Sequence, residues 1–130
     1  MPVQYMRSPD AEAAGLPFSE AVRAGDVLYL SGALGNLPGE LRLVPGGIAA
    51  ETRQTMENIA RTLAQNGLSF DDVFRCTVML ADMAEWPAFN GLYISYFAPD
   101  RLPARSAFGC SGLALGARVE LECWAWMGGR

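Results

Sequence analysis

Arg118-Val119-Glu120-Leu121-Glu122-Cys123-Trp124-Ala125-Trp126 alternates residue by residue between two kinds of side chain. Successive strand residues point to opposite faces. Val119, Leu121, Cys123 and Ala125 therefore share one face, and Glu120, Glu122, Trp124 and Trp126 share the other. The first set suits a core covered by helices. The second puts two tryptophans where no remaining helix of the chain can cover them. An apolar patch of this kind marks an interface, so this strand predicts a sheet with one face inside the subunit and the other against a partner copy, the alternative being a frayed chain end whose tryptophans lie on its own edge.

Working backwards, Arg105 to Cys110 reads as another strand. Phe89, Leu92, Tyr93, Tyr96 and Phe97 form a helical stripe that Pro99 ends. Asp82 to Glu85 has capping-box spacing, and Pro87 suits a first helical turn. Val73 to Ala81 alternates as a strand. Glu51 to Asn66 is the clearest helix: Met56, Ile59, Ala60, Leu63 and Ala64 make its buried stripe, and Glu57 and Arg61 are spaced to pair outside. Asn66-Gly67 stops it. Ser31 to Pro45 is a Gly- and Pro-rich loop with a short hairpin around Leu41–Val44. Val27 to Leu30 reads as a buried strand, joined through the Gly25-Asp26 turn to an extended Phe18–Ala24. Residues 1–15 read as an irregular lead-in. The whole, 1–130, is one α+β domain: a mixed sheet with two helices packed on one face.

Composition narrows the chemistry. The chain has no His, and all ten basic residues are Arg. A Ser-His-Asp or Cys-His triad, a Schiff-base lysine and a P-loop lysine are thereby excluded. Scattered carboxylates and thiols make a transition-metal site improbable on ligand chemistry, so neither metal nor cofactor is expected. Cys76, Cys110 and Cys123 lie in apolar, strand-like segments and read as reduced, buried, inert thiols. A net charge of −4 without a basic stripe disfavours a nucleic-acid partner. No apolar run reaches a membrane span, and Met1 to Arg7 has no signal-peptide core, so a cytoplasmic protein with no membrane partner is expected.

Three places can carry a site. Leu102-Pro103-Ala104-Arg105-Ser106 holds an arginine after a stiff proline, either as a bidentate clamp for a small carboxylate or as an ordinary surface ion pair. Glu120 lies mid-strand on the suspected interface face. There it either positions water as a general base or forms a buried ion pair that sets subunit register, and Glu122 lies two residues on. Ser31-Gly32-Ala33-Leu34-Gly35 follows a buried strand and is either a weak close-approach signal for a ligand or a plain turn, neither a Walker loop nor a dinucleotide fingerprint.

Several segments, in order, resemble the RidA (YjgF) family of small reactive-intermediate deaminases. They are Pro17-Phe18-Ser19-Glu20-Ala21-Val22, Leu30-Ser31-Gly32, Glu51-Thr52-Arg53-Gln54-Thr55-Met56-Glu57-Asn58-Ile59, Thr77-Val78-Met79-Leu80-Ala81-Asp82-Met83, Asn90-Gly91-Leu92-Tyr93, Pro103-Ala104-Arg105-Ser106 and Val119-Glu120-Leu121-Glu122. The resemblance implies a chorismate-mutase-like fold and a homotrimer whose sheets line an inner barrel, with clefts between neighbouring subunits. It implies hydrolysis of small 2-imino acids to 2-keto acids and ammonia. Arg105 would clamp the substrate carboxylate and Glu120 would place the attacking water. Ser31, Gly32, Asn90 and the Ala107 backbone would lie near the substrate. Phe18 stands where many active members carry Tyr, and Ala107 where many carry Cys. The alternative is a non-enzymatic carboxylate-binding or chaperone-like member. An endoribonuclease, an activity of some relatives, fits poorly with the acidic charge balance.

Overall fold

The structure, a computed structural model, describes residues 2–128; Met1 and residues 129–130 of the expected domain lie outside the described residues. Strands β1 (Gln4–Met6), β2 (Ala21–Ala24), β3 (Val27–Leu30), β4 (Val73–Leu80), β5 (Ala104–Gly109) and β6 (Val119–Trp126) form one sheet in the order β1-β2-β3-β6-β4-β5. Only β4 and β5 are parallel. A parallel pair needs a crossover, which helix α3 (Trp86–Tyr93) supplies. The other long helix, α2 (Gly47–Gln65), packs beside it.

The alternation of β6 is realised. Val119, Leu121, Cys123 and Ala125 are fully buried, in one cluster with Met56, Ile59 and Leu63 of α2 and Phe89 and Tyr93 of α3. The two main helices therefore cover one sheet face. The other face carries Tyr29, Phe74 and Trp124 in edge-to-face contact, with ring centroids 5.2 Å and 6.4 Å apart. Trp126 continues that face and is 51% exposed. Phe74 reaches it because a bulge between Val73 and Arg75 inserts an extra residue.

The lead-in is not irregular: it forms β1 and a short helix α1 (Pro9–Ala13). Three strand residues are too few to show periodicity, and β1 exists only through its pairing with β2. Residues 18–20, expected to be extended with the strand, precede it. The long helix begins four residues earlier than expected, at Gly47, behind Gly46 and Gly47 at φ 119° and 77°. Glycines are poor helix formers, so this start was masked. The stripe is also rotated: Thr52, Thr55 and Thr62 are buried, whereas Ala64 is exposed. Arg61 donates to Asn58 Oδ1. β3 is only half buried, since Tyr29 turns to the open face. The short hairpin is present as a bridge between Asn36 and Leu43. Asp82 caps a 3-10 turn that runs into α3, accepting from the Ala84 amide, while a true capping box lies at Ser69 and Asp72. Cys76 and Cys123 are buried as expected, but Cys110 is only partly so.

Candidate active site

Arg105 sits in β5 directly after Ala104, with Pro103 stiffening the entry. It pairs in register with Cys76, whose side chain is buried on the helix face. Paired residues share a face, so Arg105 points to the helix side at the sheet's edge. There its guanidinium carbon lies 4.8 Å from the centre of the Tyr93 ring. Ion pairs join Arg42 to Glu40 and Arg118 to Glu85; among the described residues Arg105 has no carboxylate partner. The ordinary ion pair is thus not formed, and a half-buried guanidinium is left presenting its donor fork.

Its surroundings are also unspent. Asn90 Oδ1, from α3, is buried without a hydrogen-bond partner, and the Tyr93 hydroxyl from the same helix is buried beside the Cys76 thiol. Burial, first of all, holds the Tyr93 phenol above its usual range. Below the ring, the Cys76 and Cys123 sulfurs lie 3.4 Å apart. That contact pulls the Cys76 thiol down, and together with burial it pushes the Cys123 thiol up. Ala107, two residues beyond Arg105 on the same face, is half buried and packs against the core.

Glu120 is elsewhere. It pairs with Met79 on the open face of the sheet. Burial raises its carboxyl above the usual range, and neighbouring Glu122 adds to this. Glu120 also rests on Gly32: a Cβ built there would lie 1.9 Å from Glu120 Oε2. The glycine is therefore required by a close approach and not by a turn. An Ala33–Leu121 bridge fixes the register of this loop against β6. Ser31 donates its hydroxyl to the Ser19 carbonyl at 2.6 Å, tying the loop to the segment that carries Phe18. Phe18, Ser31 and Gly32 all line one cavity of about 440 Å³.

Two half-sites result. Arg105, Asn90 and Ala107 belong to the helix side of β5. Glu120, Gly32, Ser31 and Phe18 belong to the β3–β6 region. Two strand spacings and three residues of offset separate the Cα atoms of Arg105 and Glu120 by about 14 Å, with side chains on opposite faces. Within one copy they cannot meet on one small molecule. Tyr93 was read only as part of a helical stripe; its position one helical turn after Phe89 was legible, but its meeting with Arg105 depends on tertiary packing.

The fold and these two groups of residues define a class: small α+β domains whose edge-strand arginine lacks a carboxylate partner among the described residues. The family model described as Endoribonuclease L-PSP matches residues 8–127. The chain belongs to this family, that of the RidA and YjgF proteins. It is 40% identical over 118 residues, 91% of this chain and 87% of the relative, to a Mus musculus protein named 2-iminobutanoate/2-iminopropanoate deaminase. It is 36% identical over 94% of its length to an Arabidopsis thaliana protein named Reactive Intermediate Deaminase A, chloroplastic, and covers 65% of that protein. Among solved structures, RidA from an Antarctic Psychrobacter superposes with a TM-score of 0.85 at 31% identity, over 95% of this chain and 98% of that one. No described helix is long and apolar enough to cross a membrane.

Proposed function

We propose that the protein hydrolyses small 2-imino acids to 2-keto acids and ammonia, in clefts between copies of a homotrimer. Arg105 of one copy clamps the substrate carboxylate through paired N–H donors. Glu120 of the next copy aligns a water against the C=N carbon and takes its proton. The resulting carbinolamine collapses as Glu120 returns that proton to the nitrogen, the C–N bond breaks to release ammonia, and Glu120 takes the hydroxyl proton as the carbonyl forms. This last proton departs with the ammonia as ammonium, so iminium and water become keto acid and ammonium. Backbone groups at Gly32 and Ala107 hold the reacting nitrogen. An iminium is already electrophilic, so orientation and one base supply the rate, roughly 10²–10⁴-fold from the base alone.

The observation that carries this reading is the unpaired Arg105 over Tyr93, on the face opposite Glu120. An arrangement useless within one copy becomes useful between two. The aromatic open face supports the assembly, and the deaminase names of the relatives support the chemistry. RNA cleavage gains nothing from a chain of charge −4 without His or Lys.

The test is a coupled assay. An amino-acid oxidase generates 2-iminopropanoate in the presence of semicarbazide, and semicarbazone formation is followed. Wild type should suppress trapping and Arg105→Ala should not, with Arg105→Lys retaining little. An Arg105→Ala protein as active as wild type would remove the clamp.

A further inference from the structure

The cavity of about 440 Å³ beside Phe18, Ser31 and Gly32 extends well past these residues. Leu16, Leu34, Leu41 and Leu115 supply much of its remaining wall. Its polar wall groups are largely engaged with one another. Asn58 donates to the Leu34 and Asn36 carbonyls at 3.0 Å, and Arg61 donates to Asn58 at 3.2 Å. The Thr62 hydroxyl is bound to Glu20. Arg61 is the one cation among the described lining residues, while Glu20 and Glu40 are acidic.

Leu115 adds an independent observation. It is the described non-glycine residue with positive φ, at 60°, and its side chain is 48% exposed. A bulky residue rarely adopts this conformation. Hydrogen bonds from Gly116 to Leu113 and from Ala117 to Ala114 hold the turn. An apolar side chain is thus kept at the cavity wall against its own backbone preference, the kind of strain that collects at binding sites.

We propose that this cavity receives the side chain of the substrate, so that the protein prefers imino acids with long apolar side chains, such as those of leucine, over the alanine imine. The inference rests on the deaminase reading for the carboxylate end and adds to it the identity of the other end. A cavity of this size accepts an isobutyl or benzyl group. The acidic wall disfavours a carboxylate-bearing side chain. Each buried methylene gives about 4-fold, so the leucine imine should exceed the alanine imine by roughly 50-fold in kcat/KM.

The experiment measures kcat/KM for the leucine, alanine and glutamate imines in wild type, Leu115→Asn and Leu41→Asp. Asn tolerates positive φ, and Leu41 is 59% exposed, so both variants should fold. The leucine-to-alanine ratio should fall about 10-fold or more in each. Calorimetry of 4-methyl-2-oxopentanoate against pyruvate, the corresponding keto acids, reads the cavity without turnover. If the longer keto acid binds more tightly and Leu115→Asn erases the difference, the cavity assignment holds even should no imine be hydrolysed, and the deaminase reading alone falls. A wild type that does not discriminate by chain length in either measurement, or ratios unchanged in both variants, overturns the assignment.

Discussion

Gly32→Ala places one methyl group against the proposed base. The new Cβ would stand 1.9 Å from Glu120 Oε2, and ordinary contact begins at 3.4 Å, so the carboxylate must retreat by about 1.5 Å. The atom met is the end of a flexible side chain, so the fold yields cheaply. Gly32 has no positive φ, and Gly→Ala at a compatible position contributes about 0.4–1 kcal/mol through the unfolded chain. The melting temperature should therefore change by only a few degrees, in either direction. Activity should not survive so well, because misplacing a reacting group by about 1 Å costs on the order of 10²-fold. Steady-state kinetics on 2-iminopropanoate, with thermal unfolding in parallel, separate the two effects. A folded Gly32→Ala protein with kcat within about 3-fold of wild type would refute the placement of water by Glu120 against Gly32.

Replacing the ring under Arg105 should show how the clamp is held. Tyr93→Leu should raise KM for 2-iminopropanoate by about 3- to 30-fold, the range of a cation–π contact, whereas Tyr93→Phe keeps the ring and should stay near wild type; equal effects would place the role in the hydroxyl. The acid limb of kcat against pH should lie above the ordinary carboxylate range, since Glu120 must lose a proton that burial and Glu122 make it hold. Removing that like charge with Glu122→Gln should move the limb to lower pH, and a limb that moves upward contradicts the assignment. Trp126→Glu should break the assembly, because this half-exposed ring offers on the order of 100 Å², about 2–3 kcal/mol per copy. Light scattering should then give a smaller mass, and an unchanged mass would separate the open face from the interface.

Much of the fold was legible because burial on one face imposes a period. β6 showed it in eight residues, and the Met56, Ile59 and Leu63 stripe of α2 showed the helical counterpart. What failed was local in signal but settled by tertiary pairing. β1 has only three residues and depends on β2. The start of α2 is hidden behind Gly46 and Gly47, which are poor helix formers. Gly32 looked like turn chemistry, yet its φ is ordinary and its need is room for Glu120. Among the site residues, Arg105 and Glu120 could be singled out by residue type and strand position. That they face away from each other follows from the register of β5 on β4 and of β4 on β6, which no local pattern encodes.

The central claim is that each site takes Arg105 from one copy and Glu120 from another. Arg105→Ala and Glu120→Gln proteins, each inactive alone, can be unfolded together and refolded as mixed oligomers. If neighbouring copies share the site, random 1:1 assembly restores both groups in about a quarter of the sites of a cyclic trimer. The mixture should then recover about a quarter of wild-type activity in the imine assay. A refolded mixture of native mass and mixed composition that stays as inactive as its parents would contradict the shared site.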